Sequence, residues 1–171
     1  MSRINRGKLP QGVTIHVTSQ VNRGAMELDD EEIKLLFLAI VEQAKKKFGF
    51  KLWNFTVMGN HIHFLIRPDA GVSLSTIMQW IKCNFAKKWN KMHGVKGHFW
   101  GERFFSRVIK DEADFERTSA CIDENPVKAG LAGAAGDWRF GGLFDRLWGL
   151  FGLADALLEG ELFFPPAVAP G

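Results

Sequence analysis

Along this chain apolar residues first alternate, then recur at helical spacing, then alternate again, and the order of these periods predicts the elements. From Val13 to Ser19, Val13, Ile15 and Val17 alternate with Thr14, His16 and Thr18, the period of a half-buried strand. A helix opens at Asp29-Asp30-Glu31-Glu32, where acidic side chains complement the N-terminal dipole. Ile33, Leu36, Phe37, Ile40, Val41, Ala44 and Phe48 form its apolar stripe, and Gly49 stops it. Leu52 to Met58 is the next strand, with Trp53, Phe55 and Val57 expected opposite Leu52, Asn54 and Thr56. Gly59-Asn60, a dipeptide that tolerates positive φ, joins it in a hairpin to a strand reaching Pro68. There Ile62, Phe64 and Ile66 face one side, and His61, His63 and Leu65 the other.

The second half repeats the alternation of element types. Ser73 to Met92 reads as a helix buried along Leu74, Ile77, Met78, Ile81, Phe85 and Trp89. A Gly-containing connection, Gly94 to Gly101, leads to a strand over Trp100 to Ile109. Asp111 to Glu124 reads as a third helix that stops before Pro126, because the residue preceding a proline is pushed out of the α region. Leu143, Leu147, Leu150, Phe151, Ala154 and Leu158 could share one face of a last helix, and Pro165 to Gly171 reads as extended or disordered. The order fits an α+β fold: a ferredoxin-like/RRM-like antiparallel four-stranded sheet, with two helices on its Val/Ile/Phe face and a third, catalytic-type helix opposite the histidines.

Composition narrows the class. The 171 residues are 46% apolar and 24% charged, enough for one domain with a substantial core. No apolar run reaches the length of a membrane span, and Met1 to Gln11 lacks the apolar centre of a signal peptide. Cys83 and Cys121, without Cys-x-x-Cys spacing, suggest neither a disulfide framework nor a structural zinc site, so a cytoplasmic location is expected. Cys83 is expected in the core. Charge is uneven: Arg67 to Lys110 holds nine Lys/Arg against Asp69 and Glu102, a local +7 in a chain of net +3. Such a segment suits a polyanion partner, although a solvated lysine-rich helix face would look the same.

His61 and His63 project together from one face, close enough for both imidazoles to hold one divalent ion. His-x-His alone is a weak signal, and on spacing alone two unrelated, half-exposed strand histidines are the favoured reading. His16, on the polar face of the first strand, could lie near them or be a plain structural histidine.

Met58-Gly59-Asn60-His61-Ile62-His63-Phe64-Leu65-Ile66 resembles the histidine–hydrophobic–histidine (HUH) signature of IS200-like single-tyrosine transposases. His16 to Ser19 resembles their first strand, Asn22-Arg23-Gly24 the turn after it, and Gly97 to Phe105 their fourth-strand region. Cys121 to Leu131 resembles their closing motif, in which a tyrosine stands four residues before an Asn-Pro. The likeness runs from Val13 to Trp138, with 1–12 as a flexible lead-in and 139–171 as an extension, partly helical and then disordered. That extension points to the REP-associated tyrosine transposases as the nearest subgroup.

The resemblance implies a protein that binds hairpin-bearing single-stranded DNA and cleaves it through a 5′-phosphotyrosine link, releasing a 3′-hydroxyl. It implies Mg²⁺ or Mn²⁺ held by His61, His63 and Asn125, with Cys121 at the catalytic position. Lys82, Lys87, Lys88, Lys91, Lys96, Arg103 and Arg107 are candidates for DNA phosphates, and exposed members of Phe99, Trp100 and Phe104 for stacking on unpaired bases. Two departures stand out. Gly59 replaces a common proline, and Cys121 replaces the nucleophile in a chain with no tyrosine at all. Cleavage is therefore expected to be impaired, with a DNA-binding or regulatory module as the alternative. No membrane partner is expected, and both a homodimer and a monomer fit.

Overall fold

The computed structural model describes residues 9–166, so the expectations for residues 1–8 and 167–171 lie outside the described residues. Four strands, β1 (Ile15–Gln20), β2 (Phe50–Val57), β3 (His61–Pro68) and β4 (Phe105–Val108), pair antiparallel in the order β2-β3-β1-β4. Helices α1 (Glu31–Phe48) and α2 (Leu74–His93) cover one face, and α3 (Glu112–Lys128) covers the other. The fold is the expected α+β sandwich.

Period explains the layering. Val17, Phe55, Phe64 and Ile66 meet Phe37, Ile40, Val41, Ile81 and Phe85 in the main core. Asp30 caps α1 by accepting from the Glu32 N–H at 2.8 Å, and Gly49 ends it at φ 76°, a conformation that suits glycine. Leu38 and Lys34 are also buried on α1, beyond the expected stripe. Lys34 keeps its ammonium on the Asp29 carbonyl and against the Trp138 and Phe140 rings.

Five local expectations are corrected. A bulge between Leu52 and Asn54 shifts the β2 register, so Leu52 shares the main core with Phe55, whereas Trp53 turns to the α3 side. The Gly59-Asn60 turn is closed by Met58 N–H to His61 O at 2.9 Å, yet neither residue takes a positive φ. A Cβ at Gly59 would meet Met26 Cε at 2.3 Å, the free end of an exposed side chain that can move aside. Strand β4 is shorter than expected: Trp100 makes an isolated bridge to Val21, outside the strand. Helix α3 does not stop before Pro126 but runs through it and ends soon after, at Lys128. Among the described residues the expected tail helix is cut to α4 (Gly142–Trp148), because Gly149 turns left-handed at φ 64° and ends it.

After α4 the chain folds back on β2. The Asp145 carboxylate accepts from the N–H groups of Phe151, Gly152, Leu153 and Ala154, and Asp155 accepts from Leu52 N–H at 2.7 Å and from Lys45 at 2.6 Å. With Val57 N–H bonded to Phe140 O, this segment covers the outer edge of β2. Among the described residues no helix is long and apolar enough to cross a membrane.

Candidate metal centre and nucleic-acid interface

Strand period places His61 and His63 on the α3 side of β3, and register places Thr18 beside His63 and His16 beside Leu65. The His61 and His63 ring centroids lie 5.0 Å apart. From the other side Asn125 on α3 brings its carboxamide nitrogen within 3.2 Å of His63 Nε2. Three side chains from two elements thus meet at one point, although 62 residues separate His63 from Asn125.

Helix α3 is held in that position along its length. At its start Arg107 on β4 grips the Asp114 carboxylate through Nη1 at 2.8 and 3.0 Å and donates through Nη2 to Thr118 Oγ1 at 2.8 Å. At its middle the buried Asn54 on β2 donates to Ser119 O and to Asp123 Oδ1, the latter at 2.8 Å. Between these, Trp53, Leu65, Ile109, Phe115 and Ile122 form a small apolar cluster. Trp53 Nε1 donates to Thr14 Oγ1 at 3.1 Å, so the buried indole is satisfied.

All three histidines of this face are pushed towards the neutral form. Burial, with His16 and His61 alongside, lowers His63 to about 3. Burial and then the Arg107 charge lower His16 to about 4, against a smaller opposing pull from Asp114. Burial lowers His61 too, with the Asn125 hydrogen bond opposing it. A neutral imidazole is the form that can ligate a cation. His61 Nδ1 lies 2.7 Å from Asn60 Oδ1, an acceptor, so its proton sits on Nδ1 and Nε2 carries the lone pair. His63 Nε2 faces the Asn125 amide, and rotating that amide would present Oδ1 from the same place. Two imidazole nitrogens and a carboxamide oxygen fit one divalent cation with open positions. Among the described residues no group of three or more His, Cys, Asp and Glu side chains forms a metal cage.

Cys121 lies on α3, one turn before Asn125, and is exposed. Cys83 is exposed as well, contrary to its expected place in the core, because it falls between the buried positions Ile81 and Phe85 on α2. The basic candidates divide into groups. Lys87, Lys88 and Lys91 stand exposed on α2, across the sheet from the histidines, and make no ion pair among the described residues. Lys96 and Arg103 are exposed on the connection after α2. That connection returns to the histidine end of the sheet, where Gly101 N–H bonds Gln20 O and Gln20 pairs with His61. Lys82 lies 5.5 Å from the Trp100 ring centroid, and Arg107 is engaged by α3.

Phe99, Trp100 and Phe104 are all buried in the main core, so none of them is an exposed member available for stacking. Their apolar bulk fills the gap beyond the end of β1. Sequence reasoning missed Asn54, Asp114 and Thr118 as the residues that seat α3, since none belongs to a recognisable spacing. Trp53 and Asn54 lie at the bulge, where period fails.

No curated protein matches the chain. Among solved structures, it is similar to a REP-associated tyrosine transposase bound to a REP hairpin, with 24% identity, 91% of this chain and 92% of that one covered, and a TM-score of 0.71. It is also similar to a protein from Deinococcus radiodurans R1 assigned as a transposase, with 13% identity, 70% and 95% covered, and a TM-score of 0.50. These likenesses agree with the fold. The sequence model of the IS200-like transposases matches residues 11–125, from the strand carrying His16 to Asn125 itself, and the chain belongs to that family.

Proposed function

We propose that this protein binds hairpin-bearing single-stranded DNA and holds Mg²⁺ or Mn²⁺ between His61, His63 and Asn125, with tyrosine-type strand cleavage impaired at Cys121. The observation that carries the reading is the approach of Asn125 to within 3.2 Å of His63 Nε2, with Cys121 exposed one turn away on the same helix. The imidazole pair favours Mn²⁺ over Mg²⁺, which prefers an all-oxygen shell. A bound ion would supply charge stabilisation for the oxygens of a phosphate laid against it.

The residues themselves do the rest. Arg107 and Asn54 hold α3 against the sheet, which fixes the helix turn that carries position 121 next to the turn that carries Asn125. A cysteine sulfur stops several bond lengths short of where a phenol oxygen would reach, and there is no tyrosine elsewhere to substitute. Lys96 and Arg103 neighbour the histidine end of the sheet and are suited to backbone phosphates there. For Lys87, Lys88 and Lys91 to contribute, the DNA must pass around that end to the α2 side. The hairpin carried by the similar REP-associated transposase supports this class of ligand. The covered β2 edge supports a monomer over a dimer paired through that strand.

A second reading, a DNA-binding or regulatory module without cleavage, is favoured by the short thiol at position 121. Incubating the protein with end-labelled hairpin DNA and Mn²⁺ tests both. A mobility shift without covalent adduct is expected. An adduct or nick would show a working cysteine, nicking without adduct would indicate an attacking water, and absence of any shift would refute DNA binding.

A further inference from the structure

His16, which its place on the polar face of β1 brings towards the histidine pair, makes a specific contact there. Its Nε2 lies 3.0 Å from His63 Nδ1, with the ring centroids 5.3 Å apart and the planes 15° from parallel, so the two rings meet edge to edge. Thr18 Oγ1 lies 3.1 Å from the same Nδ1. On its other side His16 pairs in register with Arg107, the residue that grips α3.

A neutral imidazole has one N–H, and its position decides which nitrogen can serve as a ligand. His63 Nε2 faces an amide donor from Asn125, which places the lone pair on Nε2 and the proton on Nδ1. That proton needs an acceptor, because the ring is partly buried and leaving a donor there unpaired costs free energy. His16 Nε2 and Thr18 Oγ1 are the two atoms within reach. Of these the imidazole nitrogen lies in nearly the same plane as the His63 ring, so its lone pair points along that N–H. Thr18 Oγ1 can rotate its hydroxyl to serve as a second acceptor.

We infer that His16 is a positioning residue: its Nε2 accepts the proton of His63 Nδ1, which fixes His63 with Nε2 bare towards Asn125. The inference rests on the proposed metal site for its functional consequence, but the tautomer itself does not. His61 receives the corresponding support from Asn60 Oδ1 at 2.7 Å, so each imidazole of the pair has its own acceptor behind it. The two supports differ in kind. Asn60 lies in the hairpin turn beside its histidine, whereas His16 comes from the neighbouring strand and links the pair to the element that carries Arg107.

The test uses the full chain. Long-range ¹H–¹⁵N spectra of the histidine rings, recorded without metal near pH 7, read the His63 tautomer directly. Protonation at Nδ1 is expected, and protonation at Nε2 would overturn the inference without any variant. Replacing His16→Phe keeps an aromatic ring but removes the acceptor. It is expected to shift His63 towards a tautomer mixture and to weaken Mn²⁺ binding, followed by electron paramagnetic resonance, about 10- to 100-fold. His16→Gln restores an acceptor and is expected to recover most of both signals, which a purely space-filling role would not do. Unchanged His63 spectra in both variants would overturn the inference even if one variant is less stable. If the wild type binds no Mn²⁺ but its His63 tautomer still depends on residue 16, the metal reading fails and the positioning role stands.

Discussion

On the side covered by α1 and α2, Val17, Phe55, Phe64 and Ile66 are fully excluded from solvent against Phe37, Ile40, Ile81 and Phe85. On the side covered by α3, five apolar residues make a small cluster, and position is set by Arg107, Asn54 and the histidines through hydrogen bonds. The first contact is non-directional and proportional to buried area. The second is directional, so a shift of one residue would leave polar groups unpaired. One face therefore provides stability, and the other holds a few side chains in a defined geometry.

The largest expected effect sharpens this division. Phe64→Ala should cost about 3–5 kcal/mol, a large share of an ordinary domain's stability. His63→Ala, one residue away on the opposite face, should cost within about 2 kcal/mol while abolishing Mn²⁺ binding. Urea unfolding of both variants checks the order, and a reversed order would break the comparison.

Next comes Arg107→Ala, expected to cost about 2–3 kcal/mol because Asp114 and Thr118 lose a charged partner. Burial raises the Asp114 pKa, but the Arg107 hydrogen bonds and charge, with the Lys110 N–H, outweigh it and hold the group below its ordinary value. With the folded value below the unfolded one, this contribution is complete above about pH 4 and is lost as pH falls through the depressed value. Unfolding between pH 6 and 2 should show a weaker acid dependence in the variant than in the wild type.

Asp155→Ala should cost about 1 kcal/mol and speed hydrogen exchange at Leu52 N–H, which Asp155 accepts from. Smallest in stability is Lys87→Ala, expected within about 0.5 kcal/mol. If Lys87 meets a phosphate, the salt dependence of hairpin binding should fall by about one unit of slope. No change in slope would confine the interface to the histidine side.

The same division explains what the sequence could disclose. Apolar periods located β1, β2, β3, α1 and α2, because burial on the α1/α2 side follows spacing alone. They failed at Trp53, where a bulge adds a residue, and the pre-proline rule failed at Pro126, which α3 carries within its last turn. They also failed over Leu150 to Leu158, where Gly149 and Asp145 redirect the chain into loops. At the candidate site His61, His63 and Asn125 were legible from motifs. The contacts of His16, Asn54 and Asp114 were not, since each joins strands and helices distant in sequence through a single side chain.

The most direct measurement is the reaction of Cys121→Tyr with labelled hairpin DNA and Mn²⁺, resolved on a denaturing protein gel. If the histidine pair, Asn125 and the α3 seat are intact and only the phenol is missing, a covalent protein–DNA adduct should form in this variant and disappear again when His63→Ala is added. An adduct that persists with His63→Ala, or a Cys121→Tyr protein that binds the hairpin yet yields none, would contradict the proposed centre.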